Sequence, residues 1–156
     1  MSTDSGRERL STVDALAQLS FAVNGVLERR AARHDLSMIQ TRLLGVLRDR
    51  RPTMNQLAGY LELDKSSVSG LVDRAARRGL VERVASATDG RAVHVALTRR
   101  GRALAARVSA EFENDVESLL EPLAAAQRLT LADLAARVVA VDVERRGLDL
   151  SAGPLH

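Results

Sequence analysis

The tightest constraint on this chain is a change of hydrophobic period between Asp64 and Leu97. From Asp64 to Arg78 the apolar residues Val68, Leu71, Val72 and Ala75 recur at three- and four-residue spacing. That is the pattern of a helix with one buried stripe. Lys65, Ser66, Ser69, Gly70, Asp73 and Arg77 occupy the other side. Gly79 stands where such a helix must end. Beyond it Val93, Val95 and Leu97 alternate with Ala92, His94 and Ala96, which is the period of a strand. Ala87-Thr88-Asp89-Gly90-Arg91 is the turn that joins the two β segments. The helix is slim where it begins, at Ser66, Ser67, Ser69 and Gly70, so another surface can approach it closely.

At 156 residues the chain fits one domain with a substantial core. It has no cysteine, which excludes a disulfide framework, a thiolate metal site and a cysteine redox switch. No apolar run approaches the length of a membrane span, and MSTDSGRERL lacks the hydrophobic segment of a signal peptide. The expected location is the cytoplasm, away from membranes. The net charge of +3 is unevenly spread. Residues 64–107 hold 10 basic groups against 4 acidic ones, whereas residues 108–156 hold 4 against 9. A positive segment inside a nearly neutral chain is the footprint of a phosphate-binding face. An uneven but ordinary solvated surface is the competing explanation.

The remaining periodicity is helical. A first helix is expected over Glu8 to Arg33, with Val13, Leu16, Leu19, Ser20, Val23, Val26 and Leu27 on its apolar stripe. Ser37 with Gln40 and Thr53 with Gln56 have capping-box spacing. They predict helices over Met38 to Arg50 and Met54 to Leu61, the first ended by Arg51-Pro52. Asp64 or Ser66 can cap the helix that follows. Thr98 opens a fifth helix to about Leu120, and Thr130 with Asp133 opens a sixth over Leu131 to Arg146. A short helix, a tight turn and a slim second helix make a helix-turn-helix candidate. A hairpin directly after it argues against a plain helical bundle.

Residues 37–101 resemble the MarR family of winged helix-turn-helix transcriptional regulators. The resemblance rests on Asn55-Gln56-Leu57-Ala58-Gly59-Tyr60-Leu61 and on Lys65-Ser66-Ser67-Val68-Ser69-Gly70-Leu71-Val72-Asp73-Arg74. It continues through Arg77-Arg78-Gly79-Leu80-Val81-Glu82-Arg83, the wing Asp89-Gly90-Arg91 and the close Leu97-Thr98-Arg99-Arg100-Gly101. The expected fold is mainly α with a small β-hairpin wing, in one domain spanning 1–156. Residues 37–98 would be the DNA-binding lobe, and 8–33 with 100–146 the helical dimerisation region. The resemblance implies a homodimer on double-stranded DNA, with recognition helices in successive major grooves and wings in the minor groove. The expected role is repression from a palindromic operator, relieved by a small-molecule effector.

Candidate DNA contacts are Lys65, Ser66, Ser67 and Ser69 at the head of the recognition helix, with Arg74 and Arg77 further along. Hydroxyls there can donate or accept, and first-turn amides can meet a phosphate. Serines discriminate bases weakly, so Lys65, water and DNA shape are expected to carry much of the specificity. Arg91 at the wing tip is the minor-groove candidate. The resemblance implies that Arg74 pairs with Asp89 and braces the wing, base contact being the alternative. Helix-start cations Arg99, Arg100 and Arg102 oppose the helix dipole, which leaves room for an external anion. The resemblance also implies an effector site between dimer helices and lobe, to which Phe21, Asn24 and Leu27, Arg42 and Phe112 are the candidate contributors.

Rival functions leave weaker traces. His34, His94 and His156 have no ligand or catalytic spacing, and no nucleophile, base or metal set stands out, so neither an enzyme nor a cofactor is expected. A sequence-independent architectural DNA-binding protein is the main alternative, since serine-rich readers suit it. A helical adaptor without DNA binding is the third.

Overall fold

The computed structural model describes residues 10–86 and 90–148. Six helices and two strands follow one another: α1 (Thr12–Arg33), α2 (Met38–Asp49), α3 (Met54–Leu61), α4 (Lys65–Arg77), β1 (Val81–Ala85), β2 (Val93–Leu97), α5 (Arg99–Leu119) and α6 (Ala125–Arg145). The core lies under the central elements. Leu43 of α2, Leu57 and Leu61 of α3, Val68, Leu71 and Val72 of α4 and Val95 of β2 are fully buried together. The stripe read from the sequence of α4 is therefore the stripe that packs, and Ala75 belongs to it.

Side-chain caps set most helix starts. Both capping boxes form: Ser37 Oγ accepts from Gln40 N while Gln40 Oε1 accepts from Ser37 N, and Thr53 and Gln56 repeat the exchange. Asp64 caps α4, accepting from Ser67 N at 2.8 Å. Two helix starts differ from expectation. α1 begins at Thr12, not Glu8, because Ser11 accepts from Asp14 N and takes the cap. α6 begins at Ala125, six residues before Leu131. Ala124, Ala125 and Ala126 are strong helix formers, and the Gln127 side chain satisfies Ala124 N–H at 2.8 Å. The expected cap Thr130 is inside the helix and donates to Ala126 O at 3.0 Å.

Four turns of the same kind end helices. After α4, Gly79 (φ +69°) lets Gly79 N donate to Ala76 O and Leu80 N to Ala75 O, the paired reverse bonds of a Schellman end. Gly147 does the same for α6, but Asp35 (φ 54°) and Glu62 (φ 56°) hold the left-handed position after α1 and α3 without being glycine. Such residues cost about 1 kcal/mol or more in backbone strain.

β1 and β2 pair antiparallel in the register Val81 with Leu97 to Ala85 with Val93. Alternation is incomplete. Ala96 is buried beside Val95 and Leu97, while Val93 at the outer end of the hairpin is 41% exposed. Pro52 and Thr53 extend the sheet edge: Val95 N donates to Pro52 O at 2.9 Å, and Thr53 bridges His94. The hairpin is thus stitched to the loop before α3 as well as to α4.

The start of α5 is wedged against the α4–β1 turn. Thr98 N donates to Leu80 O at 3.1 Å, and Thr98 Oγ1 donates to Gly79 O at 2.6 Å while accepting from Gly101 N at 3.0 Å. Gly101 faces Leu80 O so closely that any Cβ would collide with it.

α2 contains the opposite kind of glycine. A Cβ on Gly45 meets nothing within 4 Å, so alanine there removes the helix-interior penalty of glycine without a clash. Gly45→Ala is expected to stabilise the fold by about 0.5–1 kcal/mol. A urea titration giving an unchanged or lower midpoint at equal slope would contradict this.

Much of α1 and α6 has no cover. Val13 is 76% exposed, Leu16 54% and Leu19 39%, whereas Val26, nearer the lobe, is buried. α6 has no buried residue, and Leu129, Leu134, Val138, Val139 and Val141 face outward.

Candidate nucleic-acid interface

The face that α4 turns outward follows from helix geometry. At about 100° per residue, the direction opposite the buried stripe runs through Ser66, Gly70, Asp73 and Arg77. Lys65 and Ser69 flank it on one side, Ser67 and Arg74 on the other. Lys65, Ser66 and Ser67 are exposed, as are Arg74 and Arg77, while Ser69 and Gly70 are half-buried. The sequence-derived contact set on α4 therefore forms one accessible ridge.

Its chemistry is narrower than expected at the head. Ser66 Oγ donates to Asp64 Oδ1 at 2.6 Å and Ser67 Oγ to Asp64 Oδ2 at 2.7 Å. Both hydroxyl protons are spent on the cap, so Ser66 and Ser67 face outward as acceptors. These bonds, led by Ser66 and joined by the Ser67 amide and hydroxyl, hold the Asp64 carboxyl well below the usual carboxylate range. A permanent anion thus occupies the position expected for a first-turn phosphate, with the Ser67 amide already engaged. Lys65 is the neighbouring cation that can offset it.

The wing tip divides. Gly90 and Arg91 form an exposed turn. Asp89 lies outside the described residues, and with it the expected Arg74–Asp89 brace. The structure contains another brace, which sequence reading missed: Arg83 Nη2 of β1 meets Asp73 Oδ1 of α4 at 2.8 Å. This pair neutralises the acid on the outward midline of α4 and ties the wing to it. Strand alternation places Arg83 on the side chain row of Val81 and Ala85, but nothing in the sequence says which acid it reaches. Arg99 and Arg100 are exposed at the start of α5, and Arg102 turns back to donate to Leu97 O at 2.7 Å.

A second feature lies behind the lobe. Leu27 of α1, Arg42 and Gly45 of α2, and Ser109 and Phe112 of α5 line a cavity of about 180 Å³, with Leu36 and Thr41 also in its wall. Of the expected effector residues, Leu27, Arg42 and Phe112 are brought together. Phe21 and Asn24 are not: Phe21 is 75% exposed and Asn24 Nδ2 donates to Ser20 Oγ at 3.3 Å on the surface. Phe21 lies six residues before Leu27, about 240° away around the helix, and points elsewhere.

Beside the cavity, α1 and α5 are cross-linked by charge. Arg30 grips Asp115 with two nitrogens, the Nη2–Oδ1 distance being 2.6 Å, and His34 Nε2 lies 3.1 Å from Glu111 Oε2. The Arg30 guanidinium holds the Asp115 carboxyl below its ordinary value. The pair's contribution is therefore complete above the unfolded carboxylate pKa of about 3.9 and is lost as pH falls through the lower folded-state value. Asp115→Asn is expected to be less stable than the parent near pH 6, with the gap closing below about pH 4. Urea unfolding at both pH values measures it, and a gap that widens in acid would refute the assignment.

Among the described residues no His, Asp or Glu cluster could hold a metal ion, and no helix is long and apolar enough to cross a membrane. A capped helix-turn-helix backed by a two-stranded hairpin, with a basic ridge outward, defines a winged helix-turn-helix protein. Residues 34–92 match the model of the MarR family. The regulator PecS of Dickeya dadantii (strain 3937), an HTH-type transcriptional regulator, is 25% identical over 135 residues, covering 84% of this chain and 81% of PecS. Among solved structures, NadR in complex with 4-hydroxyphenylacetate superimposes with a TM-score of 0.68 at 24% identity, covering 88% of this chain and 97% of NadR. The MepR–DNA complex of S. aureus gives 0.67 at 19%, covering 85% and 99%. The match to the MarR family thus falls on the helix-turn-helix and the wing, and the whole chain shares the fold of these winged helix-turn-helix structures.

Proposed function

We propose that two copies of this chain pair through α1, α5 and α6 and bind a palindromic DNA duplex as a repressor. The observation that carries the reading is the outward ridge of α4, accessible from Lys65 to Arg77 while its whole inner stripe is buried. Such a ridge fits a major groove, with Arg91 of the wing reaching the flanking minor groove. The uncovered apolar stripes of α1 and α6 supply the pairing surface, and two-fold pairing matches a palindrome with half-sites roughly 34–36 Å apart. Structures of related fold include a DNA complex of MepR and a 4-hydroxyphenylacetate complex of NadR. The cavity behind the lobe is of the order that admits one small ring, since a void of about 150 Å³ binds benzene in another protein. Its occupant is proposed as the effector that releases the DNA.

Selection of duplexes from a randomised pool, with sedimentation of the free protein, tests this. The expected result is an enriched palindrome bound by a dimer. Uniform retention of every duplex would establish the architectural alternative, and a monomer that retains none would remove the proposal.

A further inference from the structure

The turn between α1 and α2 touches three things at once. Its Leu36 is buried and lines the cavity, as does Thr41 in the first turns of α2. Its His34 side chain meets Glu111 of α5. Its carbonyls receive Arg78, the residue that ends α4: Arg78 Nη1 donates to Asp35 O at 2.8 Å, and Nη2 lies 3.5 Å from His34 O. Arg78 Nη1 is also 3.5 Å from Gln40 Oε1, the atom that completes the cap of α2. The turn itself is stiff. Asp35 is held at φ 54°, with Asp35 N bonded to Ala32 O and Leu36 N to Ala31 O. At the other end of the strut the chain reverses at once through Gly79, whose amide bonds to Ala76 O.

We propose that Arg78 is a positioning residue that transmits filling of the cavity beneath Leu36 to the end of the DNA-reading helix α4. The inference rests on the reading of that cavity as an effector site. A molecule entering it presses on Leu36 and Thr41, and the turn moves as a unit because its own hydrogen bonds close it. A planar guanidinium bonded to a rigid carbonyl transfers the displacement to α4. Core contacts alone would spread the same displacement over many side chains.

The effector is unidentified, so the cavity is filled from within. Gly45 lines it and a Cβ there meets open space, which makes Gly45→Leu the probe. Affinity for the duplex selected by the parent protein is measured in a cycle of four proteins: parent, Gly45→Leu, Arg78→Met and both together. Thermal unfolding confirms that each is folded, and Arg78→Lys replaces Arg78→Met should the latter fail. With Arg78 present, Gly45→Leu is expected to weaken duplex binding by roughly fivefold or more. With Arg78→Met it should change binding by less than about twofold. The same loss in both backgrounds, or no loss in either, overturns the proposal while leaving DNA binding intact. A parent protein that enriches no duplex overturns the proposed function instead.

Discussion

Gly101→Ala is expected to lower the thermal unfolding midpoint by roughly 6–12 °C, from a destabilisation of about 3 kcal/mol. A Cβ built on Gly101 stands 1.9 Å from Leu80 O and 2.9 Å from the Leu80 carbonyl carbon. Both are backbone atoms, so no rotamer change relieves the collision. Either α5 or the turn after α4 must retreat, and retreat stretches the Thr98 N to Leu80 O and Thr98 Oγ1 to Gly79 O hydrogen bonds. Overpacking of this kind costs about 1–3 kcal/mol, and each buried hydrogen bond lost adds about 1 kcal/mol. Calorimetry of the variant beside Gly45→Ala gives the contrast, because the same chemical change should stabilise one site and disrupt the other. A midpoint within about 1 °C of the parent would show that the α4–β1 turn yields freely.

The second large effect concerns binding. Lys65→Ala combined with Arg91→Ala is expected to reduce affinity for the selected duplex roughly a hundredfold at moderate salt. Both side chains are exposed, so the double variant is expected to stay folded, which its thermal unfolding checks. In the proposed dimer four cations are removed, and a loss of about 0.7 kcal/mol at each gives that factor. The dependence of log affinity on log salt should flatten by roughly two to four, according to how many of the four meet phosphates. Fluorescence anisotropy across a salt series reads both quantities. Unchanged affinity in a folded dimer would eliminate the ridge-and-wing interface. The Asp64 carboxylate makes Lys65 the sensitive member, since removing it leaves that anion facing the duplex alone.

The polarity of α4 predicted from the sequence and the one in the structure agree for a simple reason. Val68, Leu71, Val72 and Ala75 leave only one way to bury a stripe, and whatever lies opposite must be outward. Caps were equally legible, because Ser37, Thr53, Asp64 and Thr98 each act on the amide three residues away. Local chemistry also misled. Thr130 with Asp133 has the spacing of a helix start, yet the preceding run of alanines carries the helix straight through it. The hydroxyls of Ser66 and Ser67 were expected to donate or accept, and only their bonds to Asp64 leave them as acceptors.

By itself, then, the sequence determined which segments become helices, which hairpin follows them and which face of α4 is buried. Those are decided by period and by contacts within a turn of the chain. Tertiary structure alone decided that Arg83 braces Asp73, that Arg78 reaches the carbonyls of His34 and Asp35, and that Phe21 and Asn24 stand apart from the cavity. Each of these joins or separates residues on different elements. Such pairings depend on how helices cross and how deeply they sink into one core, which the spacing of residues along the chain does not encode.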